Sequence, residues 1–267
     1  MWRTHQEFLP AERLLAIAVL LATYIWGPAR IMAQPSASDA PSVTASLTMD
    51  NAKPVVTPEG IGDARLVERR YQEAIEAYKN ASNDSTDVWN KRGIAYEMLF
   101  DMKDAAHCYE EALRINPANE KAANNLGTVY DSLGEHRKAE RLYRRALKIK
   151  PDSAVFLIDL GTNLMVQDKF EQGGEFFKRA FSLDRDIFDK VEIPIAKNAM
   201  TAEHSGAINY YKAKGFVQAG MMDRAIRCLR RAVDEGFTSP GKITRDSTFA
   251  VLHGNAAFEQ LLTQQGE

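Results

Sequence analysis

The chain has 267 residues, 45% of them apolar and 26% charged, with 12 Phe, 9 Tyr and 3 Trp to fill a core. That length and composition suit one or two globular domains. A formal net charge of −2 excludes a strong field toward nucleic acid or an anionic membrane surface, so no nucleic-acid partner is expected.

The first element is an uncharged apolar run at residues 14–26 (LLAIAVLLATYIW), preceded by Arg3 and Arg13. A membrane-spanning helix wants about 20 apolar residues, whereas the core of an export signal wants about 7–15. Gly27-Pro28 breaks the run, and Ile31-Met32-Ala33 is an imperfect small-x-small cleavage site. Residues 1–33 are therefore expected to be a cleaved export signal. The alternative is an inner-membrane anchor through residues 14–26. Either places the rest of the chain in the periplasm or cell envelope, with no membrane insertion after cleavage. Residues 34–58 are rich in Ser, Ala, Thr and Pro and have few large apolar side chains, so they cannot offset their ordering entropy and read as a disordered linker.

Beyond the linker the chain repeats itself at a spacing of 34. Gly93, Gly127 and Gly161 keep that interval. So do Tyr96, Tyr130 and Leu164; Ala105, Ala139 and Gly173; Tyr109, Tyr143 and Phe177; Ala112, Ala146 and Ala180; and Pro117, Pro151 and Arg185. Such a period means one supersecondary unit used again and again. In the best-formed unit Ala123, Leu126, Gly127, Tyr130 and Leu133 recur at three- and four-residue steps, predicting a helix that Gly134 ends. Ala139, Leu142, Tyr143, Ala146, Leu147 and Ile149 predict a second, stopped by Pro151. Gly127 and Ala139 are expected to let the two axes approach closely, with Tyr130 and Tyr143 filling the space between neighbouring pairs.

An earlier unit carries Gly62, Tyr71, Ala74, Tyr78 and Ala81, with Arg65 in the aromatic place and a shorter connection to the next unit. The fourth has drifted to Leu164, Gly173 and Arg185. Residues 186–204, broken by Pro194, leave the frame and read as an insertion. A degenerate fifth unit over 205–238 restores it with Phe216, Gly220, Ala225, Leu229 and Ala232. A repeat array must cover its open apolar end, and in the tail, 239–267, Phe249, Leu252, Phe258 and Leu261 are the expected plug.

The spacing and residue types resemble the tetratricopeptide repeat family, and the tail resembles those of exported bacterial members. The resemblance implies an all-α fold: a right-handed superhelical array of antiparallel helix pairs, about four of them in 59–185, with a C-terminal capping element. It also implies a protein-binding role, with the first helix of each pair lining a concave groove. On those helices, positions not used for the core are Asn90, Lys91, Ile94 and Glu97 in the second unit. Lys121, Asn124, Asn125, Thr128 and Asp131 follow in the third, and Ile158, Thr162 and Met165 in the fourth. Asn90, Asn124 and Asn125 form a polar ladder whose amides offer donor and acceptor together, as the backbone of an extended peptide requires. Some members clamp a partner's terminal carboxylates with basic residues one repeat later, but here Val155 and Asp159 stand there, which argues against a chaperone-tail receptor.

No constellation for chemistry accompanies the repeats. His5, His107, His136, His204 and His253 lack metal-ligand spacing, and no phosphate-binding loop or nucleophile motif is present. No catalytic, metal or cofactor site is expected. His107 and His136 are expected to be exposed polar residues at the starts of second helices. Cys108 and Cys228 lie three repeats apart, on the order of 25 Å from packed-helix spacing of 8–10 Å, too far for a disulfide. The sequence therefore predicts a non-enzymatic exported scaffold or adaptor that holds a peptide or protein segment in its groove. The alternative is a structural subunit of a cell-envelope assembly (secretion, pilus or wall machinery) that binds through its convex face or ends. It names neither the partner nor the oligomeric state.

Overall fold

A computed structural model describes residues 57–191 and 200–263. The expected export signal, nearly all of the linker and part of the 186–204 insertion lie outside them. Every element among the described residues is helical. Four pairs follow one another: α1 (Pro58–Val67) with α2 (Tyr71–Lys79), α3 (Thr86–Met98) with α4 (Met102–Ile115), α5 (Glu120–Ser132) with α6 (His136–Ile149), and α7 (Ala154–Val166) with α8 (Phe170–Leu183). A one-turn helix α9 (Ile187–Lys190) precedes the fifth pair, α10 (Ala202–Gln218) and α11 (Met222–Asp234). The chain then forms α12 (Pro240–Arg245), a 3₁₀ turn (Ser247–Leu252) and α13 (Ala256–Thr263). Each helix packs chiefly on its partner and then on the next pair, as an array requires.

The helices start and stop where local chemistry says they should. Ser85, Asn119 and Ser153, again 34 apart, are N-caps whose side chains accept from the amides of Val88 (3.3 Å), Ala122 (2.8 Å) and Phe156 (3.4 Å). The turn inside each pair needs one left-handed residue. Gly134 (φ 77°) and Gly220 (φ 78°) take it easily, but Phe100 (φ 61°) occupies the same place in the second pair. Helix α10 opens at Ala202 behind a capping box of Thr201 and His204, so the fifth pair begins ahead of the expected residue 205.

A glycine facing a second-helix aromatic holds each of the first four pairs together. A Cβ added to Gly62, Gly93 or Gly127 would stand 2.4, 2.6 or 2.7 Å from the ring of Tyr78, Tyr109 or Tyr143. At Gly161 it would meet Phe177 at 2.6 Å. These rings are buried, and beyond their own glycine they join the core shared with the next pair: Tyr143 clusters with Leu160 and Leu164 of α7 and so fills the space between pairs as the sequence suggested. Tyr130 also reaches the neighbouring pair: half-buried, it donates through its hydroxyl to Glu110 on α4 at 3.1 Å. The drift of the fourth unit also has a reason. A Cβ at Gly173 would stand 2.6 Å from the Gly161 carbonyl oxygen and 2.7 Å from Met165 Cγ, so the glycine allows both the close backbone approach and the Met165 side chain. In the fifth pair the corresponding positions hold Ala213 and Leu229, both fully buried, so a larger small residue faces a smaller large one.

The open end is sealed as expected. Phe249, Leu252, Phe258 and Leu261 are all buried, joined by Ile243. The cap is also tied by charge, since Asp246 accepts from the Tyr210 hydroxyl at 2.5 Å and from Lys214 Nζ at 2.8 Å. Burial alone would raise the Asp246 carboxyl, but those bonds hold it well below the usual carboxylate range.

Candidate functional site

The candidate residues sit on α3, α5 and α7, the first helices of three consecutive pairs, and the structure divides them into three sets. The first faces inward to the pair's own aromatic ring. The Tyr109 hydroxyl donates to Glu97 at 2.9 Å and that of Tyr143 to Asp131 at 3.0 Å. One repeat on, the ring is Phe177, which has no hydroxyl, and the acid's place is taken by Met165, fully buried. Glu97, Asp131 and Met165 are thus three versions of one structural position and not groove residues. A buried phenol requires an acceptor, whereas a buried phenyl ring requires an apolar neighbour.

The second set joins one repeat to the next. Asn125 Nδ2 donates to Asn90 Oδ1 at 3.2 Å, and Asn124 Nδ2 to Asp159 Oδ2 at 2.7 Å. The expected ladder therefore exists, but its rungs run between first helices. Asn90 and Asn124 are buried, as are Thr128 and Thr162. The Thr128 hydroxyl donates to its own helix at the Asn124 carbonyl, 3.3 Å away. Ile158 has no exposed surface and belongs to the core shared with α10. These residues are expected in an open groove only if the face between first helices meets solvent. In the array that face is a contact.

The third set remains accessible: Lys121 is exposed, and Lys91, Ile94 and Asn125 are half-buried. Lys91 reaches back to the first pair, donating to Glu59 at 3.0 Å and Asp63 at 2.8 Å. Burial alone would lower its ammonium, but those two carboxylates hold it above its usual range. Asn125 uses its amide nitrogen on Asn90 and keeps its carbonyl oxygen available. Together these four make a shallow strip of cationic, amide and aliphatic groups across two repeats.

One cluster was not anticipated. His136 is half-buried, its Nδ1 2.9 Å from Asp131 Oδ1, and Asn163 Nδ2 donates to the same oxygen at 2.6 Å. Burial pushes the Asp131 carboxyl up against the pull of these bonds. Beside it, Glu140 accepts from Arg144 on its own helix and from Gln167 and Lys169 of the next pair. The cluster borders an open pocket of about 560 Å³ at the turn edge between the third and fourth pairs. The signal was present in the sequence as Asp131 and His136 flanking the turn, but nothing there showed that Asn163 would arrive from the next repeat. Among the described residues no group of His, Cys, Asp and Glu is arranged to hold a metal.

The tetratricopeptide repeat family model matches residues 84–152. No curated protein matches the chain. Among solved structures, MamA is similar at 17% identity over 66% of this chain and 94% of that one, with a TM-score of 0.48. YrrB, described as a TPR protein with an unusual peptide-binding site, is similar at 17% identity over 67% of this chain and 84% of that one, with a TM-score of 0.46. The matched residues form two successive Gly–Tyr helix pairs in an all-helical array, so residues 84–152 carry tetratricopeptide repeats.

Proposed function

We propose that the chain is a non-enzymatic scaffold, exported to the cell envelope, that holds a peptide or protein segment along the first-helix face of α3 and α5. The observation that carries this is the accessible strip of Lys91, Ile94, Lys121 and Asn125, set on a backing of inter-repeat hydrogen bonds. A backing already ordered reduces the conformational cost of binding. The Asn125 carbonyl oxygen accepts a backbone N–H, Ile94 offers an apolar contact, and Lys121 supplies charge at the rim.

The test is capture of partners from an envelope extract with the full-length chain, followed by titration of the captured partner. Changing Lys121 and Asn125 together to alanine is expected to weaken binding about tenfold, one charged rim contact and one amide bond being lost. The outward pair Arg144→Ala and Lys148→Ala on α6 is expected to leave it unchanged. Equal loss from both pairs, or loss from the outward pair alone, removes the groove from the mechanism. Export rests on the short apolar run and the Ala33 site, and an intact mass retaining residues 1–33 in the envelope fraction would favour the anchor.

A second reading, a subunit of an envelope assembly, is favoured by one feature. Leu99, Phe100 and Leu133 are exposed on the turn edge of the second and third pairs, Phe100 at 84%. A bulky aromatic in left-handed backbone and in water is a strained arrangement that suits a contact with another protein. Loss of a large co-purifying complex on replacing Phe100, with peptide capture intact, selects this reading over the groove.

A further inference from the structure

Away from the strip on α3 and α5, a pocket of about 690 Å³ opens at the fifth pair, where α9 meets α10 and α11. Its lining sets Lys212, Arg224, Arg227, Arg230 and Arg231 against Asp189, Asp223 and Asp234, five cations to three carboxylates. The sequence builds it from one helix face, because residues 224, 227, 228 and 231 of α11 recur at three- and four-residue steps. Phe188, Phe216 and Ile226 supply an apolar wall.

The cations are not evenly neutralised. Asp189 is committed to Arg224, whose Nη1 lies 2.9 Å from its Oδ2 and whose Nη2 also donates to it. That pair is further fixed by the Arg224 guanidinium, 4.3 Å from the Phe216 ring centre. Among the described residues no carboxylate comes within ion-pair distance of Lys212, Arg227, Arg230 or Arg231. Lys212 is half-buried, with its ammonium 4.9 Å over the Phe188 ring. Burial, with Arg231 and Arg224 nearby, pushes that ammonium below its usual range. A partly desolvated cation beside like charges is costly, and an anion arriving in the pocket relieves it.

We propose that this pocket is a second binding site, which takes an acidic peptide segment: carboxylates against Lys212, Arg227 and Arg231, and an apolar side chain against Phe188. The apolar wall argues for a peptide over an inorganic anion. So does the volume, since a water's share is about 30 Å³ and the pocket would hold about twenty. This inference is independent of the strip on α3 and α5 and stands whether or not a ligand lies there.

Cys228 in the pocket wall provides a local reporter. It is partly accessible, whereas Cys108, the other cysteine, has no exposed surface. The probe is a fluorescein-labelled peptide, Glu-Glu-Phe-Glu-Glu-Leu, titrated into the full-length chain at low salt and followed by anisotropy. Expected are binding that weakens with salt and slower alkylation of Cys228 when peptide is bound. The change Arg227→Ala with Arg231→Ala, both exposed, is expected to lower affinity about tenfold. The same number of charges removed from α6, Arg141→Ala with Lys148→Ala, is expected to change it by less than about twofold. Melting curves check each variant, and Arg→Gln replaces Arg→Ala at both sites if the alanine pair melts low. Equal loss in the α6 pair, or Cys228 alkylation unaffected by saturating peptide, overturns the proposal. Protection of Cys228 by inorganic phosphate or by a thymidine oligonucleotide, as good as that by the peptide, assigns the pocket to a different ligand and overturns it as well.

Discussion

Gly127→Ala tests the packing rule that builds each pair. The added Cβ would stand 2.7 Å from Tyr143 Cε1, 2.9 Å from Cδ1 and 3.1 Å from Cζ. The ring cannot simply swing away, because Tyr143 is buried and its hydroxyl is held by Asp131 at 3.0 Å. Overpacking of that kind costs about 1–3 kcal/mol. Alanine in a helix interior regains about 0.8–1.0 kcal/mol over glycine, so the net destabilisation is expected near 1 kcal/mol. Tyr143→Leu alone leaves a void and deprives Asp131 of a donor, at a cost of about 2–4 kcal/mol. The fifth pair already combines Ala213 with Leu229. The double change should therefore cost less than the sum of the singles by at least about 1 kcal/mol, because the methyl group fills part of the void. The lost bond to Asp131 is common to Tyr143→Leu and the double variant and cancels in the cycle. Urea unfolding followed by helix ellipticity measures all four proteins. Strict additivity would mean that the two positions do not contact, and the glycine–aromatic rule would fail with it.

Two further perturbations bear on other parts of the array. Asp246→Asn is expected to destabilise the cap by about 1–3 kcal/mol at neutral pH. Because the folded carboxyl is held below its unfolded value of about 3.9, its contribution is present above that value and lost as pH falls through the folded one. The variant should consequently converge with the parent in acid, and a constant difference across the pH range would contradict the assignment. Phe100→Gly removes a side chain at φ 61° that is 84% exposed, and should stabilise the monomer by about 1 kcal/mol. A lower melting temperature in the isolated chain would show that the ring packs on something within the protein.

The helix pairs were legible because steric requirements repeat with the chain. Gly127 must be small because Tyr143 is large, and that demand recurs at Gly93 and Gly161, so the 34-residue period exposes it. The N-caps Ser85, Asn119 and Ser153 keep the same period and were legible in principle, since each lies where a first helix must begin. The plug of Phe249, Leu252, Phe258 and Leu261 was legible from its apolar spacing. The start of α10 was less legible because the capping box at Thr201 uses His204 where Glu or Gln is usual.

The site was harder, and the reason lies in geometry. A helical period identifies a face, but a first helix in an array has several: one toward its own partner, one toward the next first helix and one toward water. Polarity does not distinguish them. Glu97 and Asp131 are polar because Tyr109 and Tyr143 carry hydroxyls, and the clue was the joint change to Met165 where the ring becomes Phe177. Asn124 is polar because Asp159 waits one repeat away, so the departure from a carboxylate-clamping pattern at Asp159 and the apparent ladder at Asn124 are one hydrogen bond seen from its two ends. What separates Lys121 from these is the absence of a structural demand on it; Asn125 meets one with its amide nitrogen, bonded to Asn90, and keeps its carbonyl oxygen outside it. A residue whose polarity the fold does not require is the one to test for binding, and the same criterion singles out Lys212, Arg227 and Arg231 at the fifth pair.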